Sequence, residues 1–254
     1  SSDLALPGGY VATTHLVSNY PGFVEPIQGF MLAHYMSEQT KAAGVKYRVA
    51  VEVSEVDLKK KTVLIDNHER IKAEKIIIAT GSSPRPLNIP GEREYQGKGI
   101  SYCATCDAKY YEGKEVIVIG GGNSAIEESL FISKFADKIT IVHQFDHLQA
   151  NKLAQKRVFE DDKITILFEH EPREFIRHDA MDMEVIVENL KTKERRGLRA
   201  PGIFVFVGFL PNIEAFKDQL ELDSWGSVIG DEEMRTNIEG VFAVGDVKNK
   251  FYRQ

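Results

Sequence analysis

Apolar residues recur at helical spacing over residues 26–43, where Ile27, Phe30, Met31, Tyr35 and Met36 mark one face and Gly44 stands in the stop position. The pattern predicts an amphipathic helix. The period then changes to two: residues 47–56 alternate apolar with polar, 62–65 answer them, and 76–79 form an apolar run ending at Thr80-Gly81. These read as strands. Ser82-Ser83-Pro84-Arg85-Pro86 and Pro90-Gly91 break the pattern, so a loop is expected to about residue 112. From Glu115 the chain reads strand (116–119), glycine turn (Gly120-Gly121-Gly122), helix (123–135) and strand (139–142), one βαβ unit. A helix over 150–159, strands over 164–168 and 183–187, and a polar turn over 191–196 follow. Residues 203–207 and 241–244 are short, wholly apolar runs of the buried-strand type. The order predicts an α/β protein without fixed-period repeats, with breaks in composition near residues 112 and 240.

Composition narrows the class. With 43% hydrophobic and 28% charged residues, the 254-residue chain can bury an ordinary globular core, which excludes disorder, collagen and coiled coil. No apolar run approaches the roughly 18 residues that a membrane-spanning helix needs, so no membrane partner is expected. Lys plus Arg number 32 against 38 Asp plus Glu, a net charge of −6 and the wrong sign for gripping a phosphate backbone. No nucleic-acid partner is expected either. The chain opens Ser1-Ser2-Asp3-Leu4 and stops soon after a strand-like run, so both ends read as cut. The cysteine usage and the lack of a targeting segment predict a reducing, cytoplasmic setting.

Both cysteines of the chain fall in Cys103-Ala104-Thr105-Cys106. Two thiols at this spacing can close a small disulfide ring, and a thiolate at lowered pKa suits thiol–disulfide exchange. A metal site and two unremarkable thiols are the plainer readings. Zinc could recruit His143 and His147, but a whole strand-helix-strand unit separates them from the cysteines, unlike the compact spacing of zinc modules, and no metal is expected. Asp107 could shuttle a proton to a departing thiolate, or serve only the turn. Gly120-Gly121-Gly122-Asn123-Ser124-Ala125 fits Gly-x-Gly-x-x-Ala between a strand and a helix, the setting in which backbone and helix N-terminus hold a diphosphate. The alternative is a tight turn without ligand. A carboxylate selecting the ribose 2′-OH belongs about 20 residues further on. His143 occupies that strand end, and Asp146 is the nearest acid.

The Cys103-Ala104-Thr105-Cys106-Asp107 segment, closely followed by that fingerprint, resembles the low-molecular-weight thioredoxin reductases, which are flavin-dependent pyridine nucleotide disulfide oxidoreductases. Gly8-Gly9 and Val17-Ser18-Asn19-Tyr20-Pro21-Gly22-Phe23 are similar to that family's flavin-side Gly-Gly and Val-Glu-Asn-Tyr-Pro-Gly-Phe, with Ser18 replacing Glu. Ile78-Ala79-Thr80-Gly81 is similar to its Ala-Thr-Gly strand end, residues 240–247 to its second flavin-binding strand, and Arg253-Gln254 to the start of its last helix. The resemblance implies two Rossmann-like, three-layer domains. A discontinuous FAD domain would span 1–112 and 241–254, and an inserted pyridine-nucleotide domain 113–240, next to the redox-active pair. It further implies FAD contacts from Gly8, Gly9, Asn19, Ala79, Thr80, Gly81, Gly245, Asp246 and Gln254, and nucleotide contacts from Gly120, Gly122, Asn123, Ser124, Ala125 and His143. Cys103 and Cys106 would be the redox pair, Cys106 nearer the flavin, with Asp107 as acid. The resemblance also implies that nicotinamide reduces FAD, FAD the disulfide, and the dithiol thioredoxin or a thioredoxin-like protein, in a homodimer whose domains rotate.

The departures matter as much. The family's first flavin βαβ unit should precede residue 8 and a helix should follow Gln254, yet neither is in this chain. Tyr10 stands where the family usually has Gln. The NADPH segment His-Arg-Arg-x-x-x-Arg corresponds to His143-Gln144-Phe145-Asp146-His147-Leu148-Gln149, with every arginine replaced, which removes the forks for a 2′-phosphate. NADH or NADPH is expected as donor, with NADH favoured. A divergent relative using a non-pyridine donor and a non-catalytic dinucleotide-binding fragment are the competing readings.

Overall fold

The computed structural model describes residues 8–250. Helix α1 (Gly29–Ala42) precedes strands β1 (Val53–Asp57), β2 (Thr62–Ile65), β3 (Glu69–Lys72), β4 (Ile76–Ile78) and β5 (Ser82–Pro84). The stretch expected to be loop contains α2 (Glu92–Tyr95), β6 (Ile100–Ser101) and α3 (Ala104–Asp107). Next come β7 (Glu115–Ile119), α4 (Asn123–Ile132), β8 (Lys138–Val142), α5 (Lys152–Glu160) and β9 (Ile164–Leu167). Strands β10 (His170–Asp179), β11 (Asp182–Asn189), β12 (Arg195–Ala200), β13 (Gly202–Val205), β14 (Phe209–Pro211) and β15 (Val241–Ala243) complete the order. Among the described residues no helix is long and apolar enough to cross a membrane.

The chain forms two compact units, residues 84–208 and residues 1–83 with 209–254. They part at 83/84 and 208/209, whereas composition placed the breaks near 112 and 240. The reason is pairing that the pattern does not show. Ile100 of the two-residue β6 lies beside Ile203 of β13, which ties residues 100–112 to the unit 84–208. Phe216, Leu220 and Val228 pack with Val241 and Ala243, which ties 209–240 to the other unit.

In the unit 84–208, a parallel sheet runs in the order β6-β13-β7-β8-β9. Its strands are apolar on both faces because both are covered. Val116 and Val118 of β7 turn toward Ile126 and Ile132 of α4, while Ile117 and Ile119 turn toward Phe175, Met183, Val185 and Val187 of the antiparallel sheet β10-β11-β12. This is a three-layer α/β arrangement with β7 at its centre. Asn151 caps α5 by accepting from the Ala154 N–H at 2.9 Å. The strands β3, β10 and β12 were not foreseen, since their exposed sides carry Arg, Lys, Glu and His that mask the period of two.

In the other unit, β1-β2-β3 form an antiparallel meander and β4 pairs in parallel with β15, Ile76 opposite Val241 and Ile78 opposite Ala243. Helix α1 is shorter than the 26–43 expected, and its buried side is Gly29, Leu32, Ala33 and Ser37. Phe30, Tyr35 and Met36, the face expected to be covered, are exposed. The buried face is set by backbone approach: a Cβ on Gly29 would lie 1.9 Å from the Val11 carbonyl oxygen, so only glycine fits there.

Candidate active site

The two cysteines are joined as a Cys103–Cys106 disulfide at the start of α3, with their Cα atoms 5.3 Å apart. One helical turn places positions i and i+3 on the same side, which is what this ring requires. Cys103 is half-buried in an extended backbone conformation, and Cys106 is exposed. The Cys106 N–H donates to Cys103 Sγ at 3.3 Å, and Thr105 Oγ1 lies 3.4 Å from the same sulfur. Asp107 ends α3, where Ser101 Oγ donates to its Oδ2 at 2.6 Å and accepts from the Cys103 N–H at 3.1 Å. Ser101 thus fixes the carboxylate and the cysteine backbone together. No motif in the sequence singles it out.

The glycine turn gives each glycine a separate task. Gly120 has φ +130°, and a Cβ there would lie 2.2 Å from the Phe206 carbonyl oxygen, so close packing against the segment after β13 excludes a side chain. A Cβ on Gly121 would lie 2.5 Å from the His143 ring. One on Gly122 meets nothing within 4 Å. Gly122 therefore faces open space at the N-terminus of α4, where a diphosphate finds both room and unpaired N–H groups. The three glycines line a cleft of about 520 Å³ together with Val142, Gln144 and Gln149. Ser124 is exposed on the first turn, but Ala125 is fully buried and serves helix–sheet packing. The Asn123 side chain is engaged by the Asn151 N–H, donated to its Oδ1 at 2.7 Å.

His143 is placed at the end of β8 as expected, yet its ring lies beneath the turn, 4% exposed, with Nε2 donating to the His147 carbonyl at 3.1 Å. Burial pushes its pKa below the ordinary histidine value, and the hydrogen bond to the His147 carbonyl only partly opposes that shift, so it is neutral at pH 7. The ring supports Gly121 and also lines the cleft, where it is neutral. Beyond it, Phe145 stacks on His147, whose Nδ1 lies 2.6 Å from Asp146 Oδ1. That imidazole holds the Asp146 carboxyl below its usual range.

The residues that the resemblance assigns to the flavin lie in the other unit. Ala79-Thr80-Gly81 and Val244-Gly245-Asp246 follow the carboxyl ends of the adjacent parallel strands β4 and β15, the position where open α/β sheets bind ligands. Gly81 and Gly245 have φ of +66° and +73°, and a Cβ on either meets nothing within 4 Å, which leaves a cradle open to a cofactor's phosphates and ribose. Thr80 Oγ1 donates to the Asn212 carbonyl at 2.6 Å, and Lys250 pairs with Asp246. Gly8 opens a tight turn packed on Ala33 of α1, Gly9 is open, and Asn19 sits in an exposed loop. Tyr10 meets Phe209 edge-on, with ring centroids 4.9 Å apart. Gln254 lies outside the described residues. The open glycines at paired strand ends fit FAD.

A disulfide beside a glycine-turn βαβ unit, with a second cradle at parallel strand ends, defines a class, and the chain belongs to it: the pyridine nucleotide-disulphide oxidoreductase family matches residues 5–253. Among its members the chain is 41% identical, over 97% of its length and 80% of the relative's, to a thioredoxin reductase of Peptoclostridium acidaminophilum. It is 42% identical to a 34.2 kDa protein in the rubredoxin operon of Clostridium pasteurianum, over 98% of this chain and 80% of that one. The crystal structure of Lactococcus lactis thioredoxin reductase in its FR conformation superimposes with a TM-score of 0.90 at 39% identity, covering 98% of this chain and 82% of that one.

Proposed function

We propose that the chain is a thioredoxin-disulfide reductase, moving two electrons from a reduced pyridine nucleotide through FAD and the Cys103–Cys106 pair to thioredoxin or a thioredoxin-like protein. The observation that carries this reading is the Cys103–Cys106 disulfide with Asp107 oriented beside it. In this reading residues 1–83 with 209–254 hold FAD, and residues 84–208 hold the nucleotide and the disulfide. FAD, when bound, supplies the two-electron relay between nicotinamide and sulfur. The protein's own part begins with the ring: two electrons and two protons convert Cys103–Cys106 to two thiols. One deprotonated sulfur attacks the thioredoxin disulfide, forming a mixed disulfide and expelling a thiolate. The second sulfur then attacks the first, reforming the ring and releasing reduced thioredoxin. Asp107, held by Ser101, delivers a proton to the departing sulfur. A homodimer belongs to the same reading, and sedimentation tests it.

For the donor we favour NADH over NADPH. Gln144, Phe145 and Gln149 carry no charge, His143 is buried, and Asp146 adds negative charge, so none of the residues that replace the family's arginines offers a 2′-phosphate a guanidinium. Each charge-assisted contact replaced by neutral groups forfeits roughly 1.5–3 kcal/mol. Anaerobic titration of the flavoprotein with both nucleotides, followed by thioredoxin reduction, tests the reading. NADH is expected to bleach the flavin and support turnover. At least tenfold better reduction by NADPH overturns the preference, and reduction by neither overturns the pyridine-nucleotide donor.

A further inference from the structure

In the sequence Arg85 stands between two prolines in a pattern-breaking segment. In the structure it lines the same cleft as Gly120, Gly121 and Gly122. Its Nε is buried and has no hydrogen-bond partner among the described residues, and no carboxylate there pairs with it. Arg173, which also lines the cleft, has a buried Nε without a partner as well, but its charge is compensated: its Nη2 is held by Glu171 at 3.0 Å and Glu188 at 2.9 Å. An unpaired, partly desolvated guanidinium is costly unless an anion completes it.

The backbone fixes the side from which Arg85 enters. Its N–H donates to the Gly208 carbonyl at 2.8 Å, and Gly208 follows Phe206, the residue against which Gly120 packs. This is the β13 side of β7, whereas the ribose-selecting strand end, His143, lies on the β8 side. Between β7 and β13 the strand order reverses, the crevice in which dinucleotides lie across an open sheet. We infer that Arg85 binds the dinucleotide's diphosphate, completing from the β13 side the cradle that Gly122 and the α4 N-terminus begin. The inference rests on the nucleotide-binding role assigned above to residues 84–208. It also explains how a cleft stripped of 2′-phosphate arginines can still select an anionic ligand: its remaining unpaired cation addresses the phosphates common to NADH and NADPH.

The test is equilibrium binding to the oxidised, flavin-loaded full chain, by calorimetry, of NADH, NADPH, ADP, adenosine and inorganic pyrophosphate. Arg85→Gln is expected to weaken NADH and ADP on the order of ten- to a hundredfold, leave adenosine unchanged, and retain the wild-type flavin spectrum and melting temperature. Arg85→Lys is expected to recover part of the loss, since a point charge replaces the fork. NADH and ADP affinities within twofold of wild type overturn the inference. So does a loss confined to NADPH, which assigns Arg85 to a 2′-phosphate. If wild type binds pyrophosphate or ADP but neither nicotinamide nucleotide, the donor reading fails while Arg85 is judged on pyrophosphate: its loss in Arg85→Gln supports the diphosphate site, and its retention overturns it. Binding of none of the five overturns both.

Discussion

The two units reach similar ends of parallel strands by different routes. In residues 84–208 the strands β7, β8 and β9 follow one another along the chain and pair in that order, so the sheet and its glycine turn arise from one continuous stretch. In the other unit, β4 pairs with β15 from near the opposite end of the sequence, and the flavin-side cradle exists only once that distant strand docks. Closing so long a loop costs entropy before any contact compensates it. Burial differs accordingly. The β7 strand is buried at four of its five positions, whereas Ile77 of β4 is 68% exposed. The first unit is thus set by its own packing, and the second is the one whose order FAD would reinforce through mass action if it binds at Gly81 and Gly245 as proposed.

The largest expected effect separates chemistry from cofactor binding. Cys103→Ser leaves no ring to reduce, so thioredoxin reduction is expected to vanish. The flavin content per chain stays unchanged, because the proposed FAD residues lie in the other unit. Normal turnover in a coupled thioredoxin assay would remove the mechanism, and loss of flavin would erase the division between the units.

Stability measurements sharpen the contrast. Phe204→Ala removes a fully buried ring from the helix-side core of the parallel sheet and is expected to cost about 3–5 kcal/mol. Ile77→Ala, mostly solvated, is expected to cost about 0.5 kcal/mol or less. Comparable losses in urea unfolding of the two variants contradict the asymmetry.

The glycine turn supplies a smaller, finer pair. Gly120→Ala must distort a backbone at φ +130° and displace the Phe206 carbonyl, so it is expected to destabilise the fold by about 1–3 kcal/mol. At Gly122 an added Cβ meets nothing within 4 Å, so Gly122→Val is expected to leave stability nearly unchanged while weakening nucleotide binding about tenfold, about 1.4 kcal/mol. Unchanged nucleotide binding by Gly122→Val makes the turn purely structural.

The same contrast explains what the sequence disclosed. The βαβ unit was legible because its apolar runs, glycine triplet and helix are contiguous, and the cysteine pair because its spacing is itself the signal. The limits of the units were not, since the two residues of β6 carry no period, and β4 and β15 announce nothing about each other. His143 was placed correctly on its strand end, but its burial under Gly121 depends on the turn's path. Ser101 and Arg85 escaped for the same reason: a lone serine and an arginine between prolines acquire a role only when β6 meets α3 and the 84–89 segment meets the end of β13.

The smallest expected effect concerns a carboxyl inside the well-packed unit. Glu128 lies on α4, and burial, with a smaller contribution from the neighbouring Glu127 charge, pushes its pKa up to about 7. Because the folded value exceeds the unfolded one, the native state holds more protons than the unfolded state between about pH 4.5 and 7. Stability therefore falls as pH rises through that window and levels off above it. Glu128→Gln removes the charge without changing the shape, so it is expected to raise the melting temperature by about 2–4 °C at pH 8, allowing for screening of the partly solvated side chain. Near pH 4.5 the gain should disappear, since the native carboxyl is already neutral there. A gain that is independent of pH would mean that Glu128 is destabilising for its fit and not for its charge, and the packing of α4 would then need a different account from the one its apolar face provides.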